Sequence, residues 1–257
     1  MRDLRNKRKT KRFVYTTRKK RRQSGGNNPE LFTMAYVINL DSSKERLDVI
    51  MKAAEKAKLA LTRFPAVKID KSILGNDWGS ALQRQGIGAI IYLDPKGNFQ
   101  NAGTIGCYVS HRDLLEKISK DESNKAIGTL IFEDDAIIPE NLIETLNAAM
   151  KDIPENWDMC FLGKNPVSAT HVKGRIQKLK DGYNPYTNNG TWAYIVKNAS
   201  IKDKILPTFR FMMGGLDSHY NCFQENFNTY VLVEKVVDVV RTNFSDRSAM
   251  NGIKVIN

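Results

Sequence analysis

The sequence predicts an α/β domain built on a mainly parallel, mixed sheet, and three observations carry that expectation. Short apolar runs of strand length recur at 35–40, 61–67, 128–132, 158–162, 191–196 and 230–240. Segments with apolar residues at helical spacing separate several of them. The length of 257 residues suits one domain of ordinary size, long enough to bury a core without disulfides or a structural metal. Alternating strands and helices give a sheet with helices on its faces. In such sheets ligands sit beyond the carboxyl ends of the strands.

Taken in order, the chain begins with a tail. Residues 1–24 hold 12 Lys+Arg and one acid, Asp3, which is +11 of the chain's formal +12. The rest holds 28 Lys+Arg against 27 Asp+Glu and is nearly neutral. A like-charged block so poor in apolar residues is expected to be disordered. Gln23–Pro29 reads as a flexible linker. The expected division is therefore a tail and linker over 1–30 and one domain over 31–257. Contact with nucleic acid, a nuclear address and attachment to an anionic surface compete for the tail with a plain solvated extension.

Within the domain, Ala35–Leu40 reads as a buried first strand, with Asp41 or Ser42 capping the helix that follows. Leu61–Val67 is a second strand, broken by Pro65. Residues 70–102 read as loop, with a hairpin around Asp94–Asn98. Gly103–Lys120 is helical, with Ile105, Val109, Leu114, Leu115 and Ile118 on one face. Gly128–Phe132 is a core strand, and Pro139 starts a helix ending near Ile153. Asp158–Leu162 and Thr191–Val196 are further strands. Asn198 caps a helix toward Leu206, residues 164–190 read as loop, and Tyr230–Val240 reads as one late strand.

Composition excludes several classes. No run approaches 18 apolar residues, so no transmembrane segment is expected. The basic N-terminus lacks the apolar stretch of a secretory signal. Three cysteines make no disulfide framework, and their sparse, odd count fits a reducing compartment. These features together suggest a cytoplasmic protein.

Glu133-Asp134-Asp135 is the most informative tripeptide, because the apolar run Leu130-Ile131-Phe132 leads straight into it. Adjacent carboxylates at a buried strand end repel, and desolvation raises their pKa values unless a cation compensates. In extended backbone Glu133 and Asp135 would face one side and Asp134 the other. A hard cation such as Mn²⁺ or Mg²⁺ takes carboxylates together with phosphate oxygens. The other reading is a strand end turning into solvent.

Five segments, in order, sharpen the choice. Tyr36–Leu47, Gly103–His111 (GTIGCYVSH), Leu130–Asp135 (LIFEDD), Gly190–Val196 (GTWAYIV) and Gly215-Leu216-Asp217 resemble the signatures of glycosyltransferase family 25. That family includes lipo-oligosaccharide and procollagen galactosyltransferases. The resemblance implies a single GT-A-like domain, a UDP-sugar donor, Mn²⁺ assistance and transfer with inversion to a glycan or protein acceptor. It assigns Glu133 and Asp135 to the metal, Asp134 to the ribose or sugar, and Asp217 to the general base or the metal. It also brings Gly106, Ser110, His111 and Thr191 into substrate binding. Asn39 and Asp41 lie where a base or ribose would sit, and Arg46 is placed to meet a carboxylate or phosphate.

Plainer readings stand beside these. Asp217 suits a helix N-cap, Arg46 an intrahelical pair, His111 a buried structural role, and Trp192 and Tyr194 core packing. The tail has no counterpart in the family signatures, and its style suggests a virus-encoded cytosolic enzyme. The rival functions are an inactive relative that binds sugar or protein, and a nucleic-acid-associated protein that works through its tail.

Overall fold

Alternation along the apolar runs decides the architecture. In β1 (Phe32–Asn39), Ala35 and Val37 enter one core while Tyr36 and Ile38 enter the other. In β4 (Gly128–Glu133), Leu130 and Phe132 oppose Ile131 in the same way. A strand buried on both faces needs helices on both. The structure is a computed structural model describing residues 32–69, 83, 86–89, 102–124, 126–164, 169–179, 190–212, 214–223 and 226–240. The tail and linker, the hairpin expected around Asp94–Asn98 and residues 241–257 lie outside the described residues.

β1 pairs in parallel with β2 (Leu61–Pro65) and with β4. β9 (Ala193–Lys197) runs antiparallel between β4 and β6 (Met159–Phe161), so β4 and β6 point the same way. β11 (Thr229–Leu232) is parallel to β6. Beyond it, β8 (Ile176–Leu179) and β7 (Ala169–Lys173) close the edge as an antiparallel hairpin. The eight-stranded order is β2-β1-β4-β9-β6-β11-β8-β7, the mixed sheet that was expected. Two short pairs accompany it: β3 (Gly88–Ala89) with β10 (Phe211–Met212), and β5 (Ala136–Ile137) with β12 (Asp238–Val239).

One face is covered by α1 (Lys44–Lys56) and α3 (Leu142–Ala149), through residues such as Ile50, Ala54, Leu142 and Leu146. The other is covered by α2 (Ala102–Lys120), by the helical stretch that begins with α4 (Asn198–Ser200), and by α5 (Leu216–Cys222). All five apolar residues assigned to the inner face of α2 are buried.

Local details differ from the expectations for identifiable reasons. α1 starts later than Asp41 or Ser42; Ser43 holds the N-cap position and makes no side-chain cap bond. Pro139 precedes α3 instead of sitting in its first turn, because Asn141 is the cap. Asn198 is inside its helix rather than capping it: its side chain donates to Ala126 O and accepts from Thr129 Oγ1, tying the helix start to β4. That helix continues as a π turn (Ile201–Ile205) and a 3₁₀ turn (Leu206–Arg210). Pro207 lacks the N–H that a regular helix needs there. The late strand expected over 230–240 breaks in two. Between β11 and β12 the amides of Val236 and Val237 turn to bond Leu162 O at 2.9 and 3.1 Å. The β7–β8 hairpin lies in a stretch expected to be loop; its mostly exposed, polar β7 carries no apolar signal.

Candidate active site at the carboxyl ends of the strands

β4 carries its ladder as far as Glu133, whose N–H donates to Trp192 O at 2.9 Å. Asp134 and Asp135 then form a turn. The alternation expected of extended backbone is lost, and the three carboxylates go to three environments. Glu133 Oε1 accepts from Thr191 Oγ1 at 2.6 Å. Asp134 accepts from Asn39 Nδ2 at 2.7 Å and pairs with Arg46 Nη1 at 3.3 Å. Asp135 Oδ1 is buried with no hydrogen-bond partner among the described residues. Burial pushes the Asp135 carboxyl up to about 7, and the charges of Glu133 and Asp134 add to that push while Arg46 opposes it. The turn is braced from behind, because Val240 N donates to Asp135 O at 2.9 Å and β12 pairs with Ala136 and Ile137.

These acids form part of the wall of a pocket of about 400 Å³. A second wall is α2. At Gly106 an added Cβ would lie 2.6 Å from Val67 O, so glycine is what lets the chain after β2 pass close to the helix. Ser110 Oγ donates to Gly106 O and accepts from Val67 N at 2.8 Å, which holds that passing chain in place. The next residue, His111, is buried. Its Nδ1 meets Tyr194 Oη at 2.8 Å, while Nε2 has no hydrogen-bond partner among the described residues and lies 3.7 Å from Glu133 Oε1. Cys107, at i−4 on the same helix face, completes a group: donor atoms of Cys107, His111 and Glu133 all lie within 4.8 Å of one another.

Trp192 and Asp217 also line the pocket. The indole is held by its neighbours. Its Nε1 donates to Val237 O at 2.9 Å, and a side chain at Gly163 or at Gly190 would collide with its ring. Asp217 sits in the first turn of α5 and is not its cap, a position held by Gly215. Its Oδ1 accepts the Ser218 amide at 2.9 Å.

The fold thus gathers Arg46, Gly106, Ser110, His111, Glu133, Asp134, Asp135, Thr191 and Asp217 around one pocket. Asn39 and Asp41 are not among its lining residues. Asn39 is buried at the end of β1, clamped between Asp134 and the Arg63 guanidinium, so it positions Asp134. Asp41 is exposed and pairs with Arg63. Arg46 bridges from its helix to Asp134. Tyr194 is core, stacked on His111. Sequence reasoning gave no role to Cys107 or to Lys164. The Cys107–His111 spacing of four on one helix was a readable signal. So was a lysine directly after a Gly-terminated core strand in an open α/β sheet.

A dication fits this chemistry. The buried Asp135 oxygen lacks a donor, and ligation would relieve the repulsion among the acids. Glu133 and Asp135 offer a hard oxygen set. Cys107 and His111, with Glu133, offer a softer one.

The model of glycosyltransferase family 25 (LPS biosynthesis protein) matches residues 32–202. No curated protein sequence matches the chain. Among solved structures, the chain is similar to mannose-1-phosphate geranyltransferase from Thermus thermophilus, at 9% identity and a TM-score of 0.40, covering 79% of this chain and 73% of that one. It is also similar to mouse xyloside xylosyltransferase 1 in its apo form, at 11% identity and a TM-score of 0.34, covering 74% of this chain and 67% of that one.

Proposed function

The chain belongs to glycosyltransferase family 25, and from that premise we propose that it moves a hexose, galactose or glucose, from a UDP-sugar to an acceptor hydroxyl with inversion. The acceptor is a glycan or a protein, the assisting ion is Mn²⁺ or Mg²⁺, and the site of action is the cytoplasm. The observation that carries this reading is the buried Asp135 Oδ1, which has no hydrogen-bond partner among the described residues and stands beside Glu133 and Asp134 at the sheet edge where nucleotides bind in open α/β folds.

Glu133 and Asp135 would hold the ion. When bound, a dication supplies positive charge for the departing diphosphate. Thr191 fixes the Glu133 carboxylate by its 2.6 Å bond. Asn39 and Arg46 fix Asp134 in the pocket wall, where ribose or sugar hydroxyls would lie. Asp217 is the general base. It takes the proton of the acceptor hydroxyl while that oxygen bonds the anomeric carbon and the bond to the diphosphate oxygen breaks on the opposite face. The family match ends at residue 202, so the assignment of Asp217 rests on its place in the pocket.

Calorimetric titration with UDP, GDP and CDP, each with and without Mn²⁺, tests the reading. UDP binding that requires Mn²⁺ and is lost in Asp135→Ala is the expected result. A well-folded protein that binds no nucleoside diphosphate would overturn it.

A further inference from the structure

We propose that Lys164 is an anion-binding residue of this site, its ammonium paired by the diphosphate of the nucleotide donor. The inference rests on the functional reading above and extends it to a residue outside the family's acidic motif and outside the pocket lining.

Lys164 follows β6 by three residues, and β6 runs parallel to β4. Lys164 therefore stands at the same edge of the sheet as Glu133, Asp134 and Asp135. It is 2% exposed, and its Nζ has no hydrogen-bond partner among the described residues. The ammonium lies 4.1 Å from the centroid of the Phe161 ring. A ring face offsets only part of the cost of taking an ammonium out of water. Burial pulls Lys164 down to about 7, and the charge of Asp217 draws it back up.

Two features favour a ligand over a protein partner. No hydrogen bond links Lys164 to Asp217, whose Oδ1 accepts the Ser218 amide. A lysine with a structural role in this fold looks different: Lys204 Nζ donates to both oxygens of Asp158, at 2.8 and 3.1 Å. Charge balance points the same way. The pocket is lined by the carboxylates of Glu133, Asp134, Asp135 and Asp217 and by the cations Arg46 and Lys68. One dication balances that set. A diphosphate then brings further negative charge, and Lys164 is, among the described residues, the buried lysine without a hydrogen-bond partner that can meet it.

The test compares the full-length chain with Lys164→Met and Lys164→Arg, titrated in Mn²⁺ with UDP, GDP and pyrophosphate, alongside the melting temperature of each ligand-free protein. Lys164→Met should bind the diphosphates about 10- to 100-fold more weakly, and Lys164→Arg should keep most of the affinity. The ligand-free Met variant should melt at the same temperature as the parent or higher, because an apolar chain replaces an uncompensated charge. A lower melting temperature in Lys164→Met would mark a structural lysine and overturn the inference. Unchanged diphosphate affinity in a folded Lys164→Met would also overturn it and leave the wider reading intact, including when the variant loses acceptor affinity alone. A parent protein that binds no diphosphate would remove both.

Discussion

At the amino end of β6, Asp158 is 1% exposed, and its carboxylate is met from several directions. Ser200, Lys204 and the Asn228 amide all donate to it. Desolvation pushes its pKa up, but those hydrogen bonds and the Lys204 charge outweigh the push and hold it below the usual carboxylate range. At the opposite edge of the same sheet, Asp135 Oδ1, His111 Nε2 and Lys164 Nζ are all buried without hydrogen-bond partners among the described residues. Both edges bury charge, but only the first satisfies it from within the fold. A buried polar group with its partners present stabilises the structure. One held in place without them lacks something the described residues do not supply, and the function proposed above makes that a ligand.

The largest effect should come from removing the unsatisfied acid. Asp135→Asn is expected to lower turnover by about 10²- to 10³-fold without lowering the melting temperature, as read from steady-state assay beside calorimetry. Near-normal turnover would break the contrast at its centre. The converse change, Asp158→Ala, should leave turnover per folded molecule unchanged while costing about 2–4 kcal/mol. That corresponds to a fall in melting temperature of about 5–12 °C.

The two carboxylates should also respond to pH with opposite sign. The folded-state pKa of Asp135 is raised to about 7, so its contribution to stability is fully present below the unfolded value and is lost as pH rises through about 7. The folded-state pKa of Asp158 is lowered, so its contribution is present above the unfolded value and is lost as pH falls through the folded one. Denaturant titrations across pH should therefore show Asp135→Asn removing a decline between about pH 4 and 7, and Asp158→Ala removing an acid-side loss. Identical pH profiles for parent and variants would refute the assignment.

The smallest effect tests positioning. Asn39→Ala frees one side of Asp134 and should reduce kcat/KM about tenfold, or about 1.4 kcal/mol, more than it changes Mn²⁺ affinity. A larger loss in Mn²⁺ binding than in kcat/KM would show that Asp134, and not Glu133 with Asp135, dominates ion binding.

Much of this contrast was legible before any coordinates. The acidic tripeptide, the helix from Gly103 and the apolar strands were read in place, because each is a local pattern of burial and period. The turn at Asp134–Asp135 was not, since alternation assumes extended backbone and the brace from Val240 to Asp135 O comes from 105 residues further along. Asn39 was placed against a nucleotide, yet it holds Asp134 across 95 residues of sequence. Thr191 was placed against substrate, and it bonds Glu133 across 58. The late strand was misjudged because Val and Ile runs look alike whether they extend a sheet or strap across its end.

By itself the sequence determined where most of the core strands and the helix from Gly103 run, which tripeptide carries concentrated negative charge at a buried strand end, and which family the motifs resemble. These follow from side-chain chemistry and spacing along a continuous stretch of chain. Only the tertiary structure decided which carboxylate was tethered, which was left bare, and that Lys164 would share an edge with them. Those outcomes depend on β9 entering antiparallel between β4 and β6, so that the two core strands end at the same edge. Hydrogen-bond partners are set by through-space distance, and local periodicity carries no information about it.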